Sequence, residues 1–208
     1  RARLERLGFQ PGAGTSFFHE YPRWLRRIDA SRSGLTIHAS GGTSEFAFGT
    51  DYYLPTSSDI CVLDRSGGAS WCGQGERGDF EGASVRGRWA LCRTSDLSAR
   101  RRARYAESAG ALGLIVMPDP QGSEDPAAVE CQRTTEYARE GLVDRSSRDE
   151  EVFPQVYLTR DAGRRLLAAL GGGPGFPRAG VLAGAEIHER RVGSGELALE
   201  NVAAFWPG

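Results

Sequence analysis

Residues 85–119 read VRGRWALCRTSDLSARRRARYAESAGALGLIVMPD, and the folding of this stretch decides how the rest of the chain is organised. Trp89 to Cys92 is a short apolar run, and Gly87 breaks its start, so a strand is predicted there. Asp96 or Ser98 can cap a following helix. Along that helix Ala99, Ala103, Ala106 and Gly110 return on one small-residue face, with the arginines on the other. The run LGLIVM, 112–117, is continuously apolar and of strand length, the pattern of a strand buried on both sides. Strand, helix and strand within about thirty residues make a βαβ unit.

Downstream, residues 118–152 are polar and irregular, and a helix between Pro126 and Gly141 or a long surface loop fits them equally. FPQVYLT, 153–159, is another strand. Thr159 caps a second helix, 160–170, with Ala162, Leu166, Ala169 and Leu170 expected to face inward. GGGPGFPRAG, 171–180, is a connection, and 184–193 and 196–208 are two further strands. Upstream, Leu4 and Leu7 lie at helical spacing with Gly8 as the stop. Residues 16–30 are strand-like. From Leu35 to Trp71 short extended runs alternate with turn signals, the rhythm of a small sheet or barrel.

Composition limits the chemistry. The chain has 208 residues and a net charge of −1, so no global field favours nucleic acid or an anionic membrane. It contains no run of membrane-spanning length and no signal peptide. Every basic side chain is Arg, and no Lys is present. That removes a P-loop lysine, a Schiff-base lysine and a lysine general base; the bias itself fits a GC-rich coding sequence. His19, His38 and His188 are isolated in sequence and show no metal-ligand spacing. No nucleophile elbow is present. Pro174 and Pro177 remove donors from the one glycine-rich run that resembles a phosphate loop. RGD at 77–79 reads as a turn with a surface ion pair. ARRRAR reads as a solvated helix face, since it lacks interleaved aromatics. No nucleophile, base and orienter can be assembled, so no catalytic residue and no metal ligand is assigned.

Four cysteines stand at 61, 72, 92 and 131. A turn centred on Ser66 and Gly67 would place Cys61 opposite Cys72 on a hairpin and allow a disulfide; buried free thiols fit equally. Cys92 reads as a small core residue.

The 85–119 stretch resembles the core of a protease-associated (PA) domain, through Val85, Gly87, Ala106, Gly110, Ala111, Gly113 and Ile115. Pro154, Val156, Leu158, Gly163 and Leu166 resemble the second half of the same pattern. Trp89 departs from it, because the family usually carries an aliphatic residue there. The resemblance implies an α/β (α+β) fold: a PA-domain-like β-barrel or sandwich of short strands flanked by two helices.

The flanks carry a second resemblance. RLGFQPGAGTSFFHEYP, 6–22, is similar to the opening of the catalytic domain in secreted di-zinc aminopeptidases, and ENVAAFWPG, 200–208, to that domain's next strand. In that family a PA domain is inserted between these strands. The implied division is a peptidase flank at 1–30, the PA domain at 31–195, and the return strand at 196–208, with the chain cut just inside the next domain. The implied function is a non-catalytic PA domain of an exported, zinc-dependent exopeptidase. It would be secreted, periplasmic or cell-surface, and would cover the cleft and touch peptide or protein segments. Zinc would belong to the parent peptidase domain and not to this fragment. The alternatives are a free-standing PA module of a sorting receptor or of a subtilisin-type protease. Contact surfaces are expected at Arg101 and Arg104 on the helix face, and at Asp149 and Glu150 in the 118–152 loop.

Overall fold

Trp89, Leu91, Ile115, Met117, Val156 and Leu158 point to one side of their strands, and Ala90, Cys92, Leu114, Val116 and Tyr157 to the other; each set belongs to a separate buried cluster. Alternation with both faces covered is what a central parallel strand requires. The computed structural model describes residues 2–12, 14–55, 63–81, 84–119, 141–143, 153–170, 176, 182–202 and 204–206.

The elements in order are α1 (Ala2–Arg6), β1 (Gln10–Pro11), β2 (Phe18–Ile28), β3 (Gly34–Ala39), β4 (Gly42–Ala47), β5 (Tyr52–Tyr53), β6 (Leu63–Trp71), α2 (Arg77–Glu81) and β7 (Trp89–Arg93). They continue with α3 (Ala99–Ser108), β8 (Gly113–Met117), β9 (Gly141–Val143), β10 (Gln155–Leu158), α4 (Arg160–Ala169), β11 (Leu182–Arg191), β12 (Gly193–Val202) and β13 (Ala204–Phe205). Eight strands form one sheet in the order β4-β3-β11-β6-β7-β8-β10-β5. β6, β7, β8 and β10 run parallel to their neighbours among themselves, and the outer pairings are antiparallel. A turn at Gly49–Asp51 carries the chain from one edge strand to the other, with Phe48 bridged to Tyr52, so the sheet is nearly closed. The mixed α+β class and the β7-α3-β8 unit are as expected from sequence.

The two clusters have separate lids. On one side α3 contributes Ala106 above Ala90, Cys92, Leu114 and Val116. Small residues on both partners let helix and sheet approach closely. On the other side α4 contributes Ala162, Leu166 and Leu167 to the barrel core. Thr159 caps α4 by accepting from the Ala162 amide at 3.3 Å, as its position predicted. Leu167 is buried where the sequence suggested Ala169 and Leu170, which are half-buried. An ion pair between Arg165 and Asp51 and the Arg165 guanidinium 4.8 Å above the Phe46 ring fasten α4 over the sheet edge.

Trp89 finds its space because Gly113 lies opposite. A Cβ on Gly113 would collide with the Trp89 ring, so the tryptophan that departs from the family pattern is accommodated by the glycine across the register pair Trp89↔Gly113.

One expectation is corrected. Ser66 and Gly67 are not a hairpin turn, since Leu63–Trp71 is a single strand running through them. The glycines serve packing instead. A Cβ at Gly67 would meet Leu112, and one at Gly68 would meet the Arg88 guanidinium. The geometric reason for pairing Cys61 with Cys72 is therefore gone. Cys72 is a buried free thiol, as is Cys92, and Cys61 lies outside the described residues.

The flanks form their own sheets. β2 pairs with β12 along its length, from Ile28↔Gly193 to Phe18↔Val202, and with β9 on its other side. β1 pairs with β13, Gln10↔Phe205, and the Phe9 and Trp206 rings meet edge-on at 5.3 Å. The two flanking segments are thus paired antiparallel.

Candidate functional site: an arginine-lined groove beside the sheet

Arg77, Phe80 and Glu81 share one face of α2, and Arg104, Tyr105, Ser108 and Ala109 share one face of α3. Together with Ser84, Val85 and Arg86 they line a groove of about 730 Å³. Its floor is pinned to the sheet, because the buried Ser70 hydroxyl donates to the Ser84 carbonyl at 2.8 Å. The turn carrying Arg86 is held by the Gly87 amide donating to the Gly110 carbonyl at 2.8 Å and the Arg88 amide donating to Val85 at 2.9 Å. Gly110, at φ +81°, leaves room for the Arg86 side chain, whose Cγ lies 3.3 Å from where a Cβ would stand. Arg86 is thus laid across the C-terminal end of α3, where the helix dipole favours a cation.

The groove walls are latched at their other end. Arg102 is almost fully buried, with its guanidinium donating to the carbonyls of Gln74, Ser95 and Leu97 and to the Ser95 hydroxyl at 2.8 Å. Gly75 makes way for its stem. The Asp79 carboxylate turns back to accept from the Gln74 and Glu76 amides at 2.9 and 3.1 Å. The RGD triplet is therefore the first part of a helix and not a turn: Asp79 organises the preceding loop, and Arg77 pairs with Glu81 at 3.3 Å on the surface.

The residues proposed from sequence separate here. Arg104 lines the groove, while Arg101 is exposed on α3 outside it. Asp149 and Glu150 lie outside the described residues. Arg86, Tyr105 and Arg77 were not singled out from sequence. The signal for Arg86 was the Gly87–Gly110 pair that frames it. Arg102 departs from the expected solvated arginine face. Its position, three residues after Ala99 and four before Ala106, borders the small-residue side and marks it for burial.

A second polar cluster is sealed inside the barrel. Glu189 and Arg191 alternate inward with Ile187, and Arg191 Nε donates to Glu189 Oε1 at 2.6 Å and Nη2 to the Gln155 carbonyl at 3.3 Å. Burial raises the Glu189 carboxyl above its ordinary range, against the lowering effect of Arg191. Tyr52 is raised beyond its own range by burial and then by the Glu189 charge. All three side chains are buried.

The sheet also brings His38 and His188 onto one outer face, diagonal across β3 and β11, which their sequence spacing did not suggest. Each is engaged across a strand pair: His38 Nδ1 with the Thr43 hydroxyl at 3.0 Å, and His188 Nε2 with Asp64 at 2.7 Å. The His19 side chain is outside the described residues. Among the described residues no three His, Cys, Asp or Glu side chains converge to hold a metal, and these do not fit a zinc centre. Among them, too, no helix is long and apolar enough to cross a membrane.

The chain is similar to a solved aminopeptidase from Aneurinibacillus sp. strain AM-1, at 18% identity and a TM-score of 0.47, covering 96% of this chain and 38% of that one. It is also similar to BSAP, a zinc aminopeptidase from Bacillus subtilis, at 16% identity and a TM-score of 0.42, covering 86% and 35%. The chain thus spans less than two-fifths of either protein. No curated protein matches. Residues 56–166 match the model of the PA domain. These residues hold β6 to β8, α2, α3, β10 and the groove, and make up more than half of the sequence; the chain belongs to the PA domain family.

Proposed function

We propose that this chain is the non-catalytic PA domain of an exported zinc-dependent exopeptidase, with short flanks of the peptidase domain at either end. The barrel contacts peptide or protein segments and limits access to the peptidase cleft. The observation that carries this reading is the separate pairing of the flanks. β2 and β12 lie side by side in a three-stranded sheet distinct from the eight-stranded one, and β9, from the segment between them, adds to the other edge of β2. A barrel inserted between two neighbouring strands of another domain has this architecture, and the flanking sequences resemble those of a di-zinc aminopeptidase. The boundaries proposed are 1–30 and 196–208 for the peptidase and 31–195 for the PA domain. A di-zinc centre needs about five His and carboxylate ligands and a carboxylate base, and these would come from the peptidase domain.

The test compares the 208-residue chain with a longer chain continuing past Gly208, using a chromogenic amino-acid amide and metal analysis. Turnover and stoichiometric zinc are expected in the longer chain alone. Both in the 208-residue chain, or neither in the longer one, would overturn the reading.

A further inference from the structure

The groove between α2 and α3 is lined by more cations than anions among the described residues. Among the described residues three guanidinium groups, Arg77, Arg86 and Arg104, line it against one carboxylate, Glu81. Glu81 already serves Arg77. Among the described residues Arg86 and Arg104 make no ion pair. Arg86 is nevertheless placed: its stem lies against Gly110, and its turn is hydrogen-bonded at both Gly87 and Arg88. A placed Arg86, with the exposed Arg104 beside it and no ion pair to either among the described residues, favours an anionic occupant, and guanidinium geometry favours carboxylates bound two hydrogen bonds at a time.

Shape narrows the class. A volume of about 730 Å³ lies in the range of sites that hold a ligand of a few residues' bulk. The half-buried Tyr105 and Ala109 add an apolar wall. Nucleic acid fits poorly. Stacking needs a platform of exposed rings, whereas here Tyr105 is the one aromatic offered, since Phe80 is buried. The net charge of −1 also supplies no long-range attraction for a polyanion.

We propose that the α2–α3 groove is a binding site for an extended peptide segment carrying carboxylate side chains, with Arg86 and Arg104 as the charge partners and Tyr105 as the apolar wall. This rests on the reading of the domain as a peptide-contacting module and names the segment it prefers. Arg102 and Asp79 act as positioning residues, since they hold α2 and α3 at the separation that forms the groove.

The experiment is fluorescence anisotropy on the 208-residue chain with three labelled octapeptides. In the first, Glu alternates with Leu or Ala; in the second Gln replaces Glu; in the third Arg does. A single-stranded oligonucleotide is the fourth probe. Saturable binding is expected for the Glu peptide alone. Arg86→Gln with Arg104→Gln should weaken it about tenfold or more, the equivalent of about 1.4 kcal/mol. Both positions are exposed, so the fold should survive, and a circular dichroism melt checks that it does. Arg101→Gln, on the same helix but outside the groove, should stay within about twofold. Absent saturable binding, equal binding of the Gln peptide, tighter binding of the oligonucleotide, or an Arg101→Gln loss equal to that of the double variant would each overturn the proposal. No peptidase activity enters this readout. Absent binding therefore leaves the parent assignment standing, and an inactive longer chain leaves the groove standing.

Discussion

The parallel strands β7, β8 and β10 have two buried faces, and the faces are built differently. The barrel face carries the bulk: Trp89, Leu91, Ile115, Met117, Val156 and Leu158, with one ion pair sealed in beside them. The α3 face is mixed: Leu114 and Tyr157 are large, but Ala90, Cys92 and Val116 are small, under a helix that offers Ala106. Large side chains fill the buried interior. Small ones draw a helix close and fix its position, and that helix then presents arginines at its outer edge. The first face holds the fold together and the second aims a surface. Changes to the barrel face should therefore cost stability, whereas changes beyond α3 should cost little stability and affect recognition.

The largest effect is expected at the centre of the barrel face. Ile115 is fully buried on β8, flanked by Leu91 of β7 and Val156 of β10 in register. Ile115→Asp buries an unpaired carboxylate there, at a cost of several kcal/mol. The variant should fail to fold, giving no cooperative melt and little soluble protein. A soluble, cooperatively melting variant would mean that the two faces are not distinct in the way described.

The ion pair inside the barrel comes next. Glu189→Leu alone leaves the Arg191 charge buried, which costs about 3–5 kcal/mol. The double variant Glu189→Leu with Arg191→Met should recover most of that, because apolar replacements of a buried pair are often neutral. Denaturant unfolding of both variants measures the coupling. The pH dependence has a definite sign. Burial raises the Glu189 carboxyl, so the folded protein holds its proton at pH values where the unfolded chain has lost it. More protons on the folded state mean that this group's contribution to stability falls as pH rises from the ordinary carboxylate value upward. Arg191 and Arg65 oppose the shift and Tyr52 shares the site. The melting midpoint of the native protein relative to the double variant should therefore be highest at and below about pH 4.5 and decline as pH rises above it. A gap that widens with rising pH would show that the Arg191 charge outweighs burial.

How much of this was legible follows the same division. The strand–helix–strand unit and the Thr159 cap were readable because local periodicity and capping decide them. The strand through Ser66–Gly68 was misread as a turn because two consecutive glycines signal one. Only the tertiary approach of Leu112 and Arg88 shows that they make room instead. The inward Glu189–Arg191 pair shares parity with Ile187, so the signal was present, but charged residues are a weak reason to expect a barrel interior. Closure of the sheet through Phe48 and Tyr52, and the meeting of α2 with α3 that makes the groove, join segments with no shared local pattern. The run ARRRAR offers several identical side chains, and composition alone does not rank them.

Arg102→Ala tests the latch between the two faces. It deprives the carbonyls of Gln74 and Leu97 and the Ser95 hydroxyl of a charged donor, at an expected cost of about 2–3 kcal/mol. Arg102→Lys keeps the charge but not the fork and should recover only part. Urea unfolding decides. A loss below about 0.5 kcal/mol would mean that α3 is held by packing alone.

The smallest effect is expected one residue away. Arg101 follows Ser98 in the first turn of α3, where its amide donates to the Ser98 carbonyl at 3.0 Å and its side chain is exposed. A cation there faces the positive end of the helix dipole, and Ala is the better helix former by a few tenths of a kcal/mol. Both terms favour the substitution, so Arg101→Ala should leave stability unchanged or raise it by at most about 0.5 kcal/mol. The contrast with Arg102→Ala is the sharpest version of the comparison, since two adjacent and chemically identical side chains differ only in which way the helix turns them. A loss above about 1 kcal/mol at Arg101 in the same urea titration would show that its side chain has a structural partner, and the division between a holding face and a presenting edge would then have to be redrawn along α3.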